Sequence, residues 1–185
     1  MGISYPSRFF LFVFGCEGLV GVVAAIWIQM RGLSVGSGEI STGVGLGLGA
    51  AMLLTIANYA LLHLAPPVKP VRTIRRLYRE TLRPLFATVG PFEIAGLSLV
   101  AGVSEELMFR GVVQNELGLV VASVLFGFVH ISGRDSIIFG VWVTLMGFGL
   151  GGLAYVTGGL IAPMMAHVAY DAVAISYTRW SIDEV

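Results

Sequence analysis

The chain has 185 residues, of which 56% are hydrophobic and 12% charged, with a mean hydropathy of +0.87. A soluble domain carries about 25% charged residues, so this composition excludes an ordinary water-soluble globule and a disordered tail. Eleven basic residues balance eleven acidic ones, which leaves no global field for a polyanion and excludes a nucleic-acid binder. The single cysteine, Cys16, excludes an intramolecular disulfide and a cysteine-based zinc cage.

Crossing the hydrocarbon takes about 20 apolar residues in a helix. Six candidate spans follow: Phe9 to Met30, Ile40 to Leu64, Pro91 to Leu117, Leu119 to Ile131, Ile137 to Val156 and Leu160 to Tyr177. The expected fold is all-α: one polytopic membrane domain over residues 1–185, with about six transmembrane helices and one interfacial amphipathic helix. The fourth span is short, so it is expected as a half-span or as a helix held against its neighbours away from lipid. Arg8 ahead of the first span resembles the start of a signal peptide. Its apolar run is too long for a signal h-region and no small-residue cleavage site follows, so a retained helix is expected. Gly2 opens no myristoylation motif, because Pro6 stands where Ser or Thr is needed. Gly15-Cys16 faintly resembles a lipoprotein cleavage site, but the apolar sequence continues, and a buried cysteine is expected there. The glycines at 43, 45, 47 and 49, with Gly147 and Gly151, read as helix-packing positions.

Between the second and third spans the composition changes. Lys69, Arg72, Arg75, Arg76, Arg79 and Arg83 stand against one acid, Glu80. The arginines repeat at helical spacing, with Val71, Ile74, Tyr78, Leu82 and Leu85 as the opposite stripe. That pattern predicts a helix lying on an anionic leaflet, so the segment 69–83 is expected to contact anionic lipid. A solvated charged loop is the alternative. Basic residues accumulate on cytoplasmic loops. With both termini cytoplasmic, that side holds Arg8, the six loop residues, Arg134 and Arg179, and the outer side holds Arg31 alone.

An ionisable side chain near the centre of a span costs about 2.5–3.5 kcal/mol on insertion scales and is a functional candidate for that reason. Three clusters stand out. Glu105-Glu106-Leu107-Met108-Phe109-Arg110 lies in the third span, Phe126 to His130 in the fourth and His167 to Asp171 in the sixth. Glu106 and Arg110 are one turn apart with the acid first, the favoured orientation for a helical ion pair. Glu105 points about 100° away and is left without a local partner. At 1.5 Å per residue, Glu105 lies about 18 Å below the outer end of its span, His130 about 17 Å and His167 about 11 Å. All three fall at middle depths of a hydrocarbon layer about 30 Å thick. A single polar chamber inside the bundle would produce this. Glu17, Glu93 and His63 are read as polar contacts or interfacial residues with no special role.

A carboxylate facing a histidine in a partly dry chamber can activate water, and a second histidine with a polar partner can stabilise an oxyanion. No G-x-S-x-G elbow and no H-E-x-x-H pair is present. Here the residues resemble the CPBP family (CAAX protease and bacteriocin-processing, also called Abi). Ser104 to Gly111 is similar to its E-E-x-x-x-R box, Phe126 to His130 to its F-x-x-x-H box, and Ala162 to Asp171 to its third box, H-x-x-x-N or D. The family-like core covers about residues 90–175.

The resemblance implies an intramembrane endopeptidase of the type II CAAX prenyl protease kind, a glutamate-type hydrolase without a cofactor. By analogy Glu105 and His130 activate the water, and His167 and Asp171 stabilise the oxyanion. Glu106, Arg110 and Phe126 support the site. Asp171 stands where eukaryotic members usually carry Asn. An ionised Asp cannot donate a hydrogen bond, so orienting His167 is its other possible role. A short prokaryotic member acting on a membrane-embedded peptide in the cell membrane is expected, rather than one acting on prenylated proteins. Two other readings stay open. Zinc could be held by Glu105, His130 and His167, or the chamber could belong to a non-catalytic membrane scaffold, immunity protein or proton-coupled carrier.

Overall fold

A computed structural model describes residues 8–180, so Gly2 and Pro6 lie outside the described residues. Helix α1 runs Arg8–Arg31 and α2 Ile40–Tyr59, the latter continuing as a wider π turn over Ala60–Leu64. A basic segment follows, made of α3 (Lys69–Leu77), a π turn (Tyr78–Leu82) and α4 (Arg83–Phe86). Helix α5 (Pro91–Glu106) passes into a π segment (Leu107–Val113) and then α6 (Gln114–Val129). A short turn at Arg134–Ser136 leads to α7 (Ile137–Thr157), and α8 is Ile161–Trp180.

Among the described residues, four helical stretches are long and apolar enough to cross a membrane: Phe10–Arg31, Ile40–Leu64, Pro91–Val129 and Arg134–Thr157. The third, 39 residues long, contains both the third and fourth predicted spans. Gly118 separates them, with φ 84° and ψ 168°. Only glycine reaches that backbone region without a Cβ penalty, so the stretch folds back there as a helical hairpin. The second arm is not shielded from the outside: Val120, Val124, Phe128 and Val129 are all exposed on its far face. Helix α8 carries His167, Asp171 and Arg179 and is too polar to stand among the four.

Packing pairs the helices in two ways. Helix α1 runs parallel to α5, with Phe10 at Gly96 and Gly21 at Ser104, and α2 runs parallel to α8, with Gly43 at Ile161 and Gly47 at Met165. Helices α6 and α7 are antiparallel, with Gly147 against Ser123. Gly43, Gly47, Gly147 and Gly151 sit at these close approaches, as expected. Gly45 and Gly49 do not: nothing lies near the Cβ either would carry, because they occupy the outward face of α2. Cys16 is likewise exposed rather than buried, since it stands off the stripe through which α1 touches α5. Ser37 and Gly159 form an isolated bridge that ties the α1–α2 and α7–α8 loops together. Glu39 caps α2, accepting from the Ser41 and Thr42 amides at 3.1 and 2.8 Å.

The basic segment is amphipathic as predicted, with one correction. Val71, Ile74 and Tyr78 are buried, the last two in a cluster with Leu62 and Phe139. Leu85, expected on the same stripe, is exposed. The π turn at Tyr78–Leu82 inserts extra backbone per turn and slips the register, so Phe86 takes the inward position instead.

Candidate active site

The hairpin at Gly118 brings its two arms together along their length. Phe109 and Phe126 rings meet at 5.0 Å between centroids, and further down Glu105 Oε2 lies 4.0 Å from His130 Nε2. Helix α8 enters beside them. Its His167 Nε2 is 3.9 Å from the same Glu105 oxygen and 3.5 Å from Asp171 Oδ2. The four residues singled out in the sequence, Glu105, His130, His167 and Asp171, therefore line one cavity of about 240 Å³. Tyr78, Leu82 and Phe86 of the basic segment line one side of it.

The neighbouring groups fix the orientation of both imidazoles. His130 Nδ1 donates to the Phe126 carbonyl at 2.7 Å, one turn back, which turns Nε2 toward Glu105. His167 Nδ1 donates to Glu106 Oε1 at 2.8 Å, which turns its Nε2 toward Glu105 and Asp171. Glu106 is fully buried. The same oxygen receives Arg110 Nη1 at 2.8 Å, and Arg110 Nη2 donates to the Gly147 carbonyl at 3.1 Å. The Phe126 ring lies under the Arg110 guanidinium at 4.4 Å and edge-on to His167 at 5.8 Å. Glu106, Arg110 and Phe126 thus form one packed unit behind the cavity. The π segment that begins directly after Glu106 carries Arg110. π-bulges of this kind are frequent at functional sites.

Spans of 3.9 and 4.0 Å are too long for a direct hydrogen bond and suit one bridging water. A water donating to Glu105 and to the His130 Nε2 lone pair is polarised by both, and a carbonyl beside it would meet His167. Among the described residues, no group of three or more His, Cys, Asp or Glu is arranged to hold a metal ion. At the cavity wall Tyr78 donates to Asn58 Oδ1 at 3.2 Å. Burial pushes this phenol up to about 12, so it stays a neutral donor.

Glu17, which its sequence context alone does not single out, reaches the same neighbourhood from α1. It lies within electrostatic reach of Glu105, His130, His167 and Asp171. The signal that could find it is the stripe of small and aromatic residues around it, at positions 10, 14, 17, 21, 24 and 28. His63, expected at the interface, contacts the Tyr177 hydroxyl.

Helices of this length and apolarity, packed around a largely apolar cavity that holds Glu105, His130, His167 and Asp171, define a polytopic α-helical membrane protein. Residues 87–173, a little under half of the chain, match the family model described as "Type II CAAX prenyl endopeptidase Rce1-like", so this part of the chain is similar to that family. Glu105, Glu106, Arg110, Phe126, His130, His167 and Asp171 all fall within the matched segment. The chain is also 37% identical over 84 residues to an uncharacterized protein, YpbD, of Bacillus subtilis (strain 168). That match covers 45% of this chain and 44% of the relative, so it spans less than half of either protein. No solved structure matches the chain.

Proposed function

We propose that the protein is an intramembrane endopeptidase that hydrolyses a peptide bond of a membrane-associated protein or peptide. The observation that carries this reading is the placement of Glu105 Oε2 at 4.0 and 3.9 Å from two imidazole nitrogens on two other helices. Glu105 takes a proton from the water while His130 Nε2 accepts its other hydrogen bond. The water oxygen bonds to the peptide carbonyl carbon, and the C–O π electrons move onto the oxygen. His167, protonated at Nε2, donates to that oxyanion, and Asp171 holds the ring. The intermediate then collapses. The C–N bond breaks, the proton on Glu105 passes to the leaving nitrogen, the remaining hydroxyl proton passes to His130 Nε2, and a carboxylate and an amine result. A dry, preorganised chamber strengthens each of these contacts.

No cofactor is part of this reading, and zinc on Glu105, His130 and His167 is the reading it competes with. The test compares membrane peptides, by mass spectrometry, from cells carrying wild type or Glu105→Gln. A peptide that loses its tail only with wild type supports the hydrolase and identifies the substrate and the bond. Normal cleavage by Glu105→Gln removes it. Stoichiometric zinc in the purified protein, with cleavage lost on chelation, moves the assignment to a metalloprotease.

The same reading sets the protein in a prokaryotic cell membrane with both termini cytoplasmic. The exposed basic residues of α3, Lys69, Arg72 and Arg76, border one surface depression, and we assign them to anionic phospholipid headgroups at that face.

A further inference from the structure

Helix α1 touches the bundle through a single stripe. Phe10 and Phe14 reach Gly96, Gly21 sits on Ser104, and Ile28 sits on Gly111. Ala24, between the last two, is fully buried. The positions 10, 14, 17, 21, 24 and 28 follow the alternating three-and-four spacing of two helices packed side by side. Glu17 is the one charged residue in this stripe. It stands one turn before Gly21, at mid-length of a helix whose remaining faces are open to the outside.

Its surroundings make that position costly. Glu17 Oε2 is buried and accepts no hydrogen bond from the protein, a condition shared by Glu105 Oε2. A carboxylate oxygen shut away from water without a donor destabilises the fold. A leucine at this point would continue the apolar stripe and pack against α5. The charged and titratable groups within electrostatic reach of Glu17 are Glu105 from α5, His130 from α6, and His167 and Asp171 from α8. Among the described residues, no group donates a hydrogen bond to its Oε2. The carboxyl group thus lies on the side of α1 that packs on α5, near the reacting groups.

We propose that Glu17 is a further positioning residue of the hydrolytic site. It anchors a second water on the α1 side of Glu105, and this water hydrogen-bonds to the attacking one and replaces it after each turnover. The inference rests on the hydrolase reading above. Hydrolysis consumes one water per bond cleaved, and two acceptor oxygens lacking protein donors, on facing helices, are what a two-water chain needs at its ends.

The test uses the full chain, purified in detergent, as wild type, Glu17→Leu, Glu17→Gln, Glu17→Asp and Glu105→Gln. Thermal unfolding is measured for all. Steady-state cleavage is measured on lipidated quenched-fluorescence peptides that wild type cuts. The expected result is that Glu17→Leu unfolds several degrees above wild type while its kcat falls at least tenfold and its KM stays within twofold. Glu17→Gln follows in kcat, and Glu17→Asp recovers part of it. A lower unfolding temperature for Glu17→Leu marks a structural role and overturns the proposal, with or without a cleavable peptide. So does an unchanged kcat, or a change confined to KM. Full activity in Glu105→Gln sinks the hydrolase reading itself. An inactive Glu105→Gln beside a fully active Glu17→Leu sinks only the role of Glu17.

Discussion

His167 Nδ1 and Glu106 Oε1 are 2.8 Å apart, and the same carboxylate oxygen also takes Arg110 Nη1 at 2.8 Å. One buried acid thus satisfies a cation on its own helix and an imidazole on another, joining α5 to α8. Removing it strands the Arg110 charge, which is 3% exposed. Breaking a buried pair this way costs about 3–5 kcal/mol. Glu106→Leu should lower the stability of the detergent-solubilised protein by that order. The double substitution Glu106→Leu with Arg110→Met should recover much of the loss. A double-mutant cycle by chemical unfolding measures it, and additive losses would contradict the pairing.

Phe126 touches Arg110, Phe109, His130 and His167 with one ring. In lipid the transfer part of a truncation cost falls away, while the cavity and lost contacts remain. Phe126→Ala should therefore cost about 2–3 kcal/mol. It should also depress cleavage more than Phe126→Leu, because both imidazoles lose the surface that fixes their rings. Unfolding and turnover measured on the same preparations separate the two effects.

Two glycines make a matched pair. A Cβ on Gly102 would sit 2.9 Å from the Val168 backbone nitrogen on α8, so Gly102→Ala must push α5 away from the helix carrying His167. Overpacking of this kind costs about 1–3 kcal/mol. Gly45 has open space around it, and Gly45→Ala should be neutral or stabilising by up to about 1 kcal/mol through helix propensity. A larger loss at Gly45 than at Gly102 in thermal unfolding would refute the close approach of α5 to α8 at Gly102.

Glu39 at the N-terminus of α2 accepts from Ser41 and Thr42, and these bonds lower its carboxyl from 4.5 to about 2. A folded-state value below the unfolded one gives stabilisation that is full above the unfolded value and lost as pH falls through the folded one. Between about pH 5 and pH 2 the unfolding temperature of wild type should fall more steeply than that of Glu39→Gln. Parallel curves for the two proteins would show that the cap contributes nothing.

The basic face of α3 gives a lipid prediction. Arg76 pairs with Asp135 at 3.1 Å, but both side chains are largely exposed, and such a pair contributes little. Phosphatidylglycerol added to the detergent-solubilised protein should raise its unfolding temperature more than phosphatidylcholine does. The combined change Lys69→Glu, Arg72→Glu and Arg76→Glu should abolish the difference. Equal shifts from the two lipids in wild type would count against headgroup binding.

Hydropathy and charge asymmetry carry most of the architecture, because apolar length and basic loops are properties of single segments. The span Ile40 to Leu64 is legible to the residue, and the ends of α7 and α8 within a few residues. The acid and imidazole boxes are legible because an ionisable group at mid-span is too costly to keep without a task. What stays hidden depends on partners. Which face α1 turns to the bundle decides that Cys16 looks outward and Glu17 inward, and only the position of α5 fixes that face. The slip from Leu85 to Phe86 comes from a π turn, which has no local composition signal. Gly45 and Gly49 differ from Gly43 and Gly47 only in the direction of α8.

The reversal at Gly118 has one more consequence. Glu105 lies thirteen positions before it and His130 twelve after, so the two arms act as calipers, and their equal reach sets how closely acid and base meet. Adding or deleting one residue in a single arm would shift one jaw by about 1.5 Å and swing it by about 100°. In this protein arm length itself is a chemical variable: a change in one arm leaves the jaws aligned only if the other arm changes with it.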